Sequence, residues 1–296
     1  MGLIKKAIRK MIPYSIRLKI YNARNMLKCR KVINYYEKHP DEKRFYLNEL
    51  SYIRKNFSFN MIPGPISEYN NLSRINVVSD LCNNLFYVIH NGKKLYFPGS
   101  YSEIMVKESY RTLTIEQNAE SPHLYFDESV MIMAEDIFVD VGSGEGISSL
   151  DMIDHVKEIV IFEGDSMWFD ALRATFTPWS NKVTVINKYV SDITDRDGVT
   201  LDSYFQEKKQ NLLIKIDVEG MERKVLKGAE KILSETNNRI VCCTYHNQDD
   251  AEDFKKYFND KGYETSFSSG FMLLLNDKTF IPPFFRKGVI RAWHNN

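Results

Sequence analysis

From Asp136 onward the sequence alternates between two patterns. Apolar, β-branched runs such as "IFVDV", "EIVIF", "LLIKI" and "RIVCC" are separated by stretches of helical character. No other feature constrains the fold as strongly. Strands joined by helices pair in parallel through right-handed crossovers, and strands apolar throughout are covered on both faces. The expected order is strand "IFVDVG", helix "ISSLDMIDHV", strand "EIVIFEGD", helix "SMWFDALRATF" and strand "KVTVINKYVS". A helix from near Leu201 follows, then strand "NLLIKIDVEG", helix "ERKVLKGAEKILSE", strand "RIVCCTYH" and helix "DAEDFKKYFNDKG". "YETSFSSGFMLLLN" reads as two strands turned around Gly270. With no helix between them, one must enter antiparallel. The fold class is α/β, a doubly wound, mostly parallel Rossmann-like sheet with an antiparallel last strand and an N-terminal α/β extension.

Three stretches divide the 296 residues: 1–44, 45–135 and 136–296. The first holds thirteen Lys/Arg against three Asp/Glu, although the whole chain carries only +1. Leu3, Ile4, Ala7, Ile8, Met11 and Ile12 share one helical face, with Lys5, Lys6, Arg9 and Lys10 opposite and Pro13 as a stop. A second basic helix spans about Ser15 to Tyr36. Residues 1–36 can lie on an anionic membrane leaflet, or pack on their own domain or on a second subunit as an oligomer contact. No nucleic-acid module accompanies the basic charge, so nucleic acid is not an expected partner. In 45–135, "LFYVIHNGKKLYFPG" is a hairpin around Asn91-Gly92, and "SEIMVKESYRTLTIEQ" is a helix ended by "SPHLYF". Cys29, Cys82, Cys242 and Cys243 have no metal-ligand or disulfide-framework spacing. The start has neither the continuous apolar core of a signal peptide nor a Ser or Thr at position 6, where Lys6 stands, for myristoylation. A cytoplasmic protein is expected, peripheral at the inner face of the membrane if residues 1–36 bind lipid.

In doubly wound sheets ligands sit beyond the carboxyl ends of the strands. Gly142, Gly144 and Gly146 lie there after the first strand, and Glu163 closes the second, placed to meet two ribose hydroxyls of a nucleoside. A dinucleotide fingerprint spaces its glycines two and then three apart, so that pyrophosphate meets the helix N-terminus. Here the spacing is two and two, with Asp140 before the loop and Glu145 inside it. Those acids repel pyrophosphate and suit the ammonium and sulfonium of S-adenosyl-L-methionine. The bland alternative is a tight strand–helix turn.

"FVDVGSGEG", "IFEGD", "VTLDSYF" and above all "LIKIDVEGMERKVLKGAEKIL" resemble the FkbM family of S-adenosylmethionine-dependent methyltransferases. The resemblance spans about residues 86–292. Through "YFPG", "EQNAESPHLYF", "CCTYHNQDD" and "FRKGVIRA" it extends to a bacterial branch of surface-polysaccharide enzymes. The family commonly has Ala where Ser143 stands. The resemblance implies that Asp140, Gly142, Ser143, Gly144, Glu145 and Gly146 form the cofactor loop. Glu163 would bind ribose with Gly164 and Asp165 beside the adenosine, and Asp192 after Ser191 would contact adenine. Asp217, Glu219 and Glu222 would face the methyl-transfer site.

Methyl transfer to an alcohol needs alignment, exclusion of water and a base. His246, at the same sheet edge as Asp217, is the candidate base; the alternative is a buried histidine bonded to neighbouring backbone. Asp217, Glu219 and Glu222 could hold Mg²⁺ and acidify a sugar hydroxyl, or Glu222 could cap its helix. Lys215 is expected to snorkel or to pair with an acid rather than bind substrate, His123 to line the pocket or serve structure, and Trp168 and Phe169 to pack rather than stack on adenine. Cys242 and Cys243 face opposite sides of a strand, and the C-terminal "FFRKGVIRAWH" could join the basic face or dock on the sheet. The expected activity is O-methylation of a sugar hydroxyl on a cell-surface glycan or glycolipid precursor. An NAD-dependent oxidoreductase and a non-catalytic assembly partner are the alternatives.

Overall fold

The computed structural model describes residues 14–57, 59, 61–68, 71–206, 211–235, 238–277 and 279–294. The amphipathic segment from Leu3 to Pro13 lies outside these residues. The chain forms two compact units: Met1–Glu68 with Phe271–Arg286, and Tyr69–Gly270 with Lys287–Asn296. The hairpin region thus belongs with the large sheet, whereas 271–286 joins the first unit.

The first unit begins with α1 (Tyr14–Lys38), α2 (Pro40–Lys43) and α3 (Leu47–Lys55). Cys29, Val32 and Tyr36 recur at helical spacing on α1 and are fully buried against Leu50 and Ile53 of α3. Ile16, Ile20, Tyr21 and Leu27 on the same helix are exposed.

The second unit opens with β1 (Val78–Asp80), β2 (Leu85–His90) and β3 (Lys93–Tyr96), an antiparallel sheet. Asn91 and Gly92 take φ of +48° and +78°, the left-handed pair that a type I′ turn requires. The short β1 was not expected, because three residues carry too little pattern. Next come α4 (Glu103–Glu116), β4 (Ile137–Val141), α5 (Ile147–Met152), β5 (Glu158–Phe162), α6 (Phe169–Phe176) and β6 (Val183–Ile186). A small parallel pair, β7 (Tyr189–Val190) and β8 (Gly198–Val199), precedes α7 (Leu201–Tyr204). Then follow β9 (Leu212–Ile216), α8 (Glu222–Lys227), β10 (Arg239–Cys243), α9 (Asp250–Asp260) and β11 (Glu264–Phe267). The chain gives β12 (Met272–Leu273) and β13 (Phe285–Arg286) to the first unit as an antiparallel pair, then returns as β14 (Val289–Trp293).

The main sheet has the order β11-β14-β10-β9-β4-β5-β6. The run from β10 to β6 is parallel, and β14 is antiparallel to both neighbours. Every residue of β4, β9 and β10 is buried, as strands covered on two faces must be. This is the expected Rossmann-like α/β fold, with one correction. The antiparallel strand is not the second arm of a turn at Gly270; it is "VIRAW", which slots between β10 and β11. Arg286, Lys287 and Arg291 masked its apolar pattern.

A second departure concerns "ERKVLKGAEKILSE", expected as one helix. It stops at Gly228, where a Cβ would lie 2.0 Å from the Ser191 carbonyl oxygen. The Gly228 carbonyl accepts from Asp202 N at 3.0 Å, so this glycine lets two loops touch backbone to backbone. We expect Gly228→Ala to cost about 3 kcal/mol, the upper range for overpacking a tight site. Gly92→Ala has open space and pays only for its positive φ, about 1–2 kcal/mol. Urea unfolding of both variants reads the difference; equal costs would remove the close approach as the reason for this glycine.

Candidate active site

The chain runs outward from β4 through β5 to β6 and then starts again at β9 on the other side of β4. Strand order therefore reverses between β4 and β9, and the carboxyl end of that switch point is where ligands bind in such sheets. Three glycines make the first loop, with φ of +74°, +52° and +79° at Gly142, Gly144 and Gly146. Each serves a different need. A Cβ on Gly142 would overlap the Asp217 carbonyl oxygen at 2.0 Å, so this glycine joins the two loops; Gly146 packs where Leu172 and Phe176 leave no room. Gly144 faces open space, with nothing within 4 Å of an added Cβ. Beside it, Ser143 Oγ is buried without a hydrogen-bond partner.

Glu163, at the end of β5, reaches this loop. Its Oε2 accepts from Gly144 N and its Oε1 from Asp165 N, both at 2.8 Å. A Cβ on Gly164 would meet the Tyr189 ring at 2.2 Å, so the ring rests against bare backbone. Asp165 Oδ1 accepts from Met167 N at 2.9 Å, and Trp168 packs edge-on to Tyr101. Asp192 is paired with Lys227, the last residue of α8, at 2.9 Å. That hydrogen bond holds its carboxyl below the usual range. Glu145 turns toward α4 and accepts from Ser109 Oγ at 2.7 Å; burial pushes its carboxyl up. A cleft of about 400 Å³ opens there, lined among others by Tyr101, Glu108, Ser109, Thr112, Glu116 and Glu145.

Asp140 does not face this cleft. It is fully buried, accepts from Ser149 Oγ at 2.7 Å and lies 3.0 Å from Lys215 Nζ. Of the two expectations for Lys215, snorkelling or pairing with an acid, the structure has the pair, and the ammonium also donates to the Gly142 carbonyl at 2.6 Å. Desolvation pulls the ammonium down, but Asp140 and Asp217 more than offset it, so the pKa stays raised and the charge is kept.

Asp217, just past β9, is the hub of the crevice. Tyr125 Oη donates to its Oδ2 at 2.6 Å, with His123 Nε2 at 3.6 Å and His246 Nε2 at 3.8 Å. Burial raises its carboxyl, yet Lys215 and the two histidines outweigh that and leave it low. His123 Nε2 is 3.2 Å from Tyr245 Oη. Arg291 on β14 holds the 123–125 segment by donating to the carbonyls of Tyr125 and Leu124 at 2.7 and 2.6 Å. His246 sits near three acids: Asp217, Glu219 Oε2 at 3.6 Å and Glu222 Oε1, which lies 2.9 Å from Nδ1. Tyr125 and Tyr245 escaped the sequence reading. The i,i+2 spacing of His123 and Tyr125 in an extended segment was the available clue.

Magnesium does not fit. Among the described residues, Asp217, Glu222 and His246 offer ligand atoms within 4.8 Å of one another, as do His123, Asp217 and Cys243. Glu219 is in neither group, and its side chain is 93% exposed. Mg²⁺ takes oxygen ligands in near-ideal octahedral geometry, and each group brings an imidazole or a thiol.

His123 is 3% exposed, and burial lowers its pKa to about 4. Between that value and its ordinary 6.5 the unfolded chain binds a proton that the folded chain refuses. Folding stability is therefore full above that window and falls with pH through it, by up to about 3 kcal/mol. His123→Gln is expected to remove this slope, read by urea unfolding at pH 7 and pH 5. An unchanged slope would place the titration elsewhere.

No curated protein matches the chain. Among solved structures, the crystal structure of methyltransferase FkbM from Methylobacillus flagellatus aligns with a TM-score of 0.47 and 19% identity, covering 64% of this chain and 54% of that one. Precorrin-6y C5,15-methyltransferase from Geobacter metallireducens aligns at 0.39 and 14%, covering 55% and 82%. An rRNA methylase from Streptococcus thermophilus aligns at 0.35 and 16%, covering 56% and 90%. This chain thus spans about half the length of the first of these, and likenesses this distant say nothing of substrate. A family model gives the firmer result. Residues 154–265, which include Glu163, Asp192, Asp217 and His246, match the methyltransferase FkbM domain, and that match supports a methyltransferase.

Proposed function

We propose that this protein is an S-adenosylmethionine-dependent O-methyltransferase acting on a sugar hydroxyl of a glycan or glycolipid precursor. One observation carries the cofactor reading: the open Gly144 and the carboxylate of Glu163 meet at the shared edge of β4 and β5. Each Glu163 oxygen accepts one backbone N–H and keeps a second lone pair, enough for two ribose hydroxyls. Ser143 Oγ is a buried polar atom in want of a partner beside them. The acid-lined cleft at Glu145 suits an ammonium and is a poor place for pyrophosphate. That weighs against the NAD-dependent reading.

When bound, S-adenosylmethionine supplies an activated methyl group on a sulfonium. The protein's own part is to place the acceptor, keep water out and move one proton. His246 Nε2 takes that proton from the acceptor hydroxyl, and Asp217 stabilises the resulting imidazolium. Tyr125 fixes Asp217 from the far side. A sugar acceptor is supported by where the branch-like blocks fall. "EQNAESPHLYF", "CCTYHNQDD" and "FRKGVIRA" build one wall beside Asp217, through His123 with Tyr245, Arg291 with Tyr125, and Thr244 Oγ donating to Lys287 O at 2.8 Å.

Burial pulls the His246 imidazole down, but Glu222, Asp217 and Glu219 more than offset it and hold the pKa above the ordinary value. The basic form is needed, so transfer should rise with pH through that raised pKa. Calorimetric titration should give micromolar binding of S-adenosylhomocysteine, none of NAD(H), and loss of binding in Glu163→Ala. His246→Ala should retain that binding and lose transfer by roughly 10²–10⁴-fold, the usual worth of a general base. NAD(H) binding in place of S-adenosylhomocysteine would overturn the reading; unchanged transfer in His246→Ala would exclude His246 as the base, and S-adenosylhomocysteine binding with no transfer by the wild-type protein would favour an assembly role.

For residues 1–36 we propose contact with an anionic membrane. Ile16, Ile20 and Leu27 recur on one exposed side of α1, a helix that also carries Lys19, Arg24 and Lys28. Among the described residues no helix is long and apolar enough to cross a membrane. The chain should sediment with phosphatidylglycerol vesicles at low salt and not with phosphatidylcholine; no binding to either rejects the contact.

A further inference from the structure

We infer that His123, Asp217 and Cys243 form a binding site for a zinc ion. The inference goes beyond the proposed methyl transfer and does not depend on it. An imidazole and a thiol beside one carboxylate turn magnesium away, and they are what zinc takes. Its protein ligands are Cys sulfur, His nitrogen and Asp oxygen.

Three segments far apart in sequence meet at this place. Asp217 follows β9 and Cys243 ends β10, and the parallel register that pairs Ile216 with Cys242 carries on to bring these two together. His123 comes from the segment that Arg291 fastens through the Leu124 and Tyr125 carbonyls. One ligand atom from each of the three lies within 4.8 Å of the other two. His123 Nε2 and Asp217 Oδ2 are 3.6 Å apart, too long for a hydrogen bond. Nitrogen and oxygen ligands of one tetrahedral zinc, each about 2.1 Å from the metal, lie about 3.4 Å from each other. The spacing fits two ligands of one ion. Because each ligand comes from a different segment, no closely spaced cysteine motif announces the site in the sequence.

Burial and charge favour an ion here. Cys243 is fully buried, and the His123 and Asp217 side chains are 4% and 16% exposed. Beside them the carboxylates of Asp140 and Asp217 share a single ammonium, that of Lys215. Burial keeps the His123 imidazole neutral, the form that binds metal, and keeps the Cys243 thiol protonated until a metal displaces that proton. Zinc with the resulting thiolate adds one positive charge, which cancels the excess of the two carboxylates over the ammonium. The ligands are also supported from behind. Tyr125 Oη donates to Asp217 Oδ2 at 2.6 Å, leaving that oxygen a second lone pair for metal and Oδ1 for the His246 side. Gln117 Nε2 is 3.4 Å from His123 Nδ1, a contact long enough to yield when Nδ1 takes the hydrogen. With three protein ligands the fourth position falls to water.

Cobalt(II) in the full-length, chelator-treated protein tests the site. One equivalent of Co²⁺ should give the near-ultraviolet charge-transfer band of a cobalt–thiolate bond and the intense visible absorption of a four-coordinate ion, and Zn²⁺ should bleach both. Cys243→Ser should lose the thiolate band. The triple variant Cys29→Ser, Cys82→Ser, Cys242→Ser, which leaves Cys243 as the last cysteine, should keep it, so the assignment does not need Cys243→Ser to fold. His123→Gln should weaken binding by more than about tenfold, since even losing a partner behind a metal ligand costs that much. Absence of cobalt binding to the wild-type protein, or a thiolate band that survives Cys243→Ser, would overturn the inference. Cobalt bound without a thiolate band would also overturn it, by placing the ion at Asp217, Glu222 and His246, the group that has no sulfur. The spectra need neither S-adenosylmethionine nor an acceptor, so failure of the methyltransferase reading stays separate.

Discussion

The site depends on one buried ammonium. Lys215 lies between Asp140 on β4 and Asp217 just beyond β9, with the Gly142 carbonyl as a third partner. At an effective dielectric constant of about 20, two unit charges 3.0 Å apart attract by roughly 5 kcal/mol, of the order that burying them costs. Such a pair therefore adds little net stability. Its worth is geometric, because losing either partner strands a charge in the core. The ammonium ties the first turn of the glycine loop to the strand that carries Asp217. The glycine loop after β4 and the turn after β9 are thereby held in one register.

The segment around His123 and Tyr125 uses the same principle with a longer lever. Arg291 is 1% exposed and lies on the antiparallel strand, yet it holds the carbonyls of Leu124 and Tyr125. Ser268 Oγ donates to the Pro122 carbonyl from beside the same strand. A loop that precedes the main sheet in sequence is thus fastened by residues that follow nearly all of it. Tyr125 and His123 can then face Asp217 from a segment that has no regular hydrogen-bonding of its own.

The sheet was legible because its signal is periodic and redundant. The central strands are mostly apolar, each crossover has one handedness, and Asn91-Gly92 fits one turn type. What escaped was decided by contacts distant in sequence. "VIRAW" reads poorly as a strand because its arginine looks like a surface residue, and only the distant carbonyls reveal why it is buried. Gly228 breaks a helix for the sake of Ser191, some thirty-seven residues away. The glycine loop, Glu163, Asp217 and His246 were all visible as positions. Their charges were not: Asp140 was read as an acid beside the ligand, and the structure turns it inward to Lys215. Glu222 likewise carries a helix-start pattern, and only the fold brings His246 to it.

The path of the chain also sets an order of events during synthesis. β14 is translated after every strand it joins, and β11 touches the sheet only through it. While the ribosome is still making residues 271–286, the run from β10 to β6 can pair, but one edge of it stays open. The wall carrying His123 and Tyr125 also lacks its clamp. Exposed edges are where nascent chains associate wrongly. The crevice is therefore the last part of this unit to become competent, closed by a strand of five residues that supplies both the missing edge and the guanidinium behind the wall.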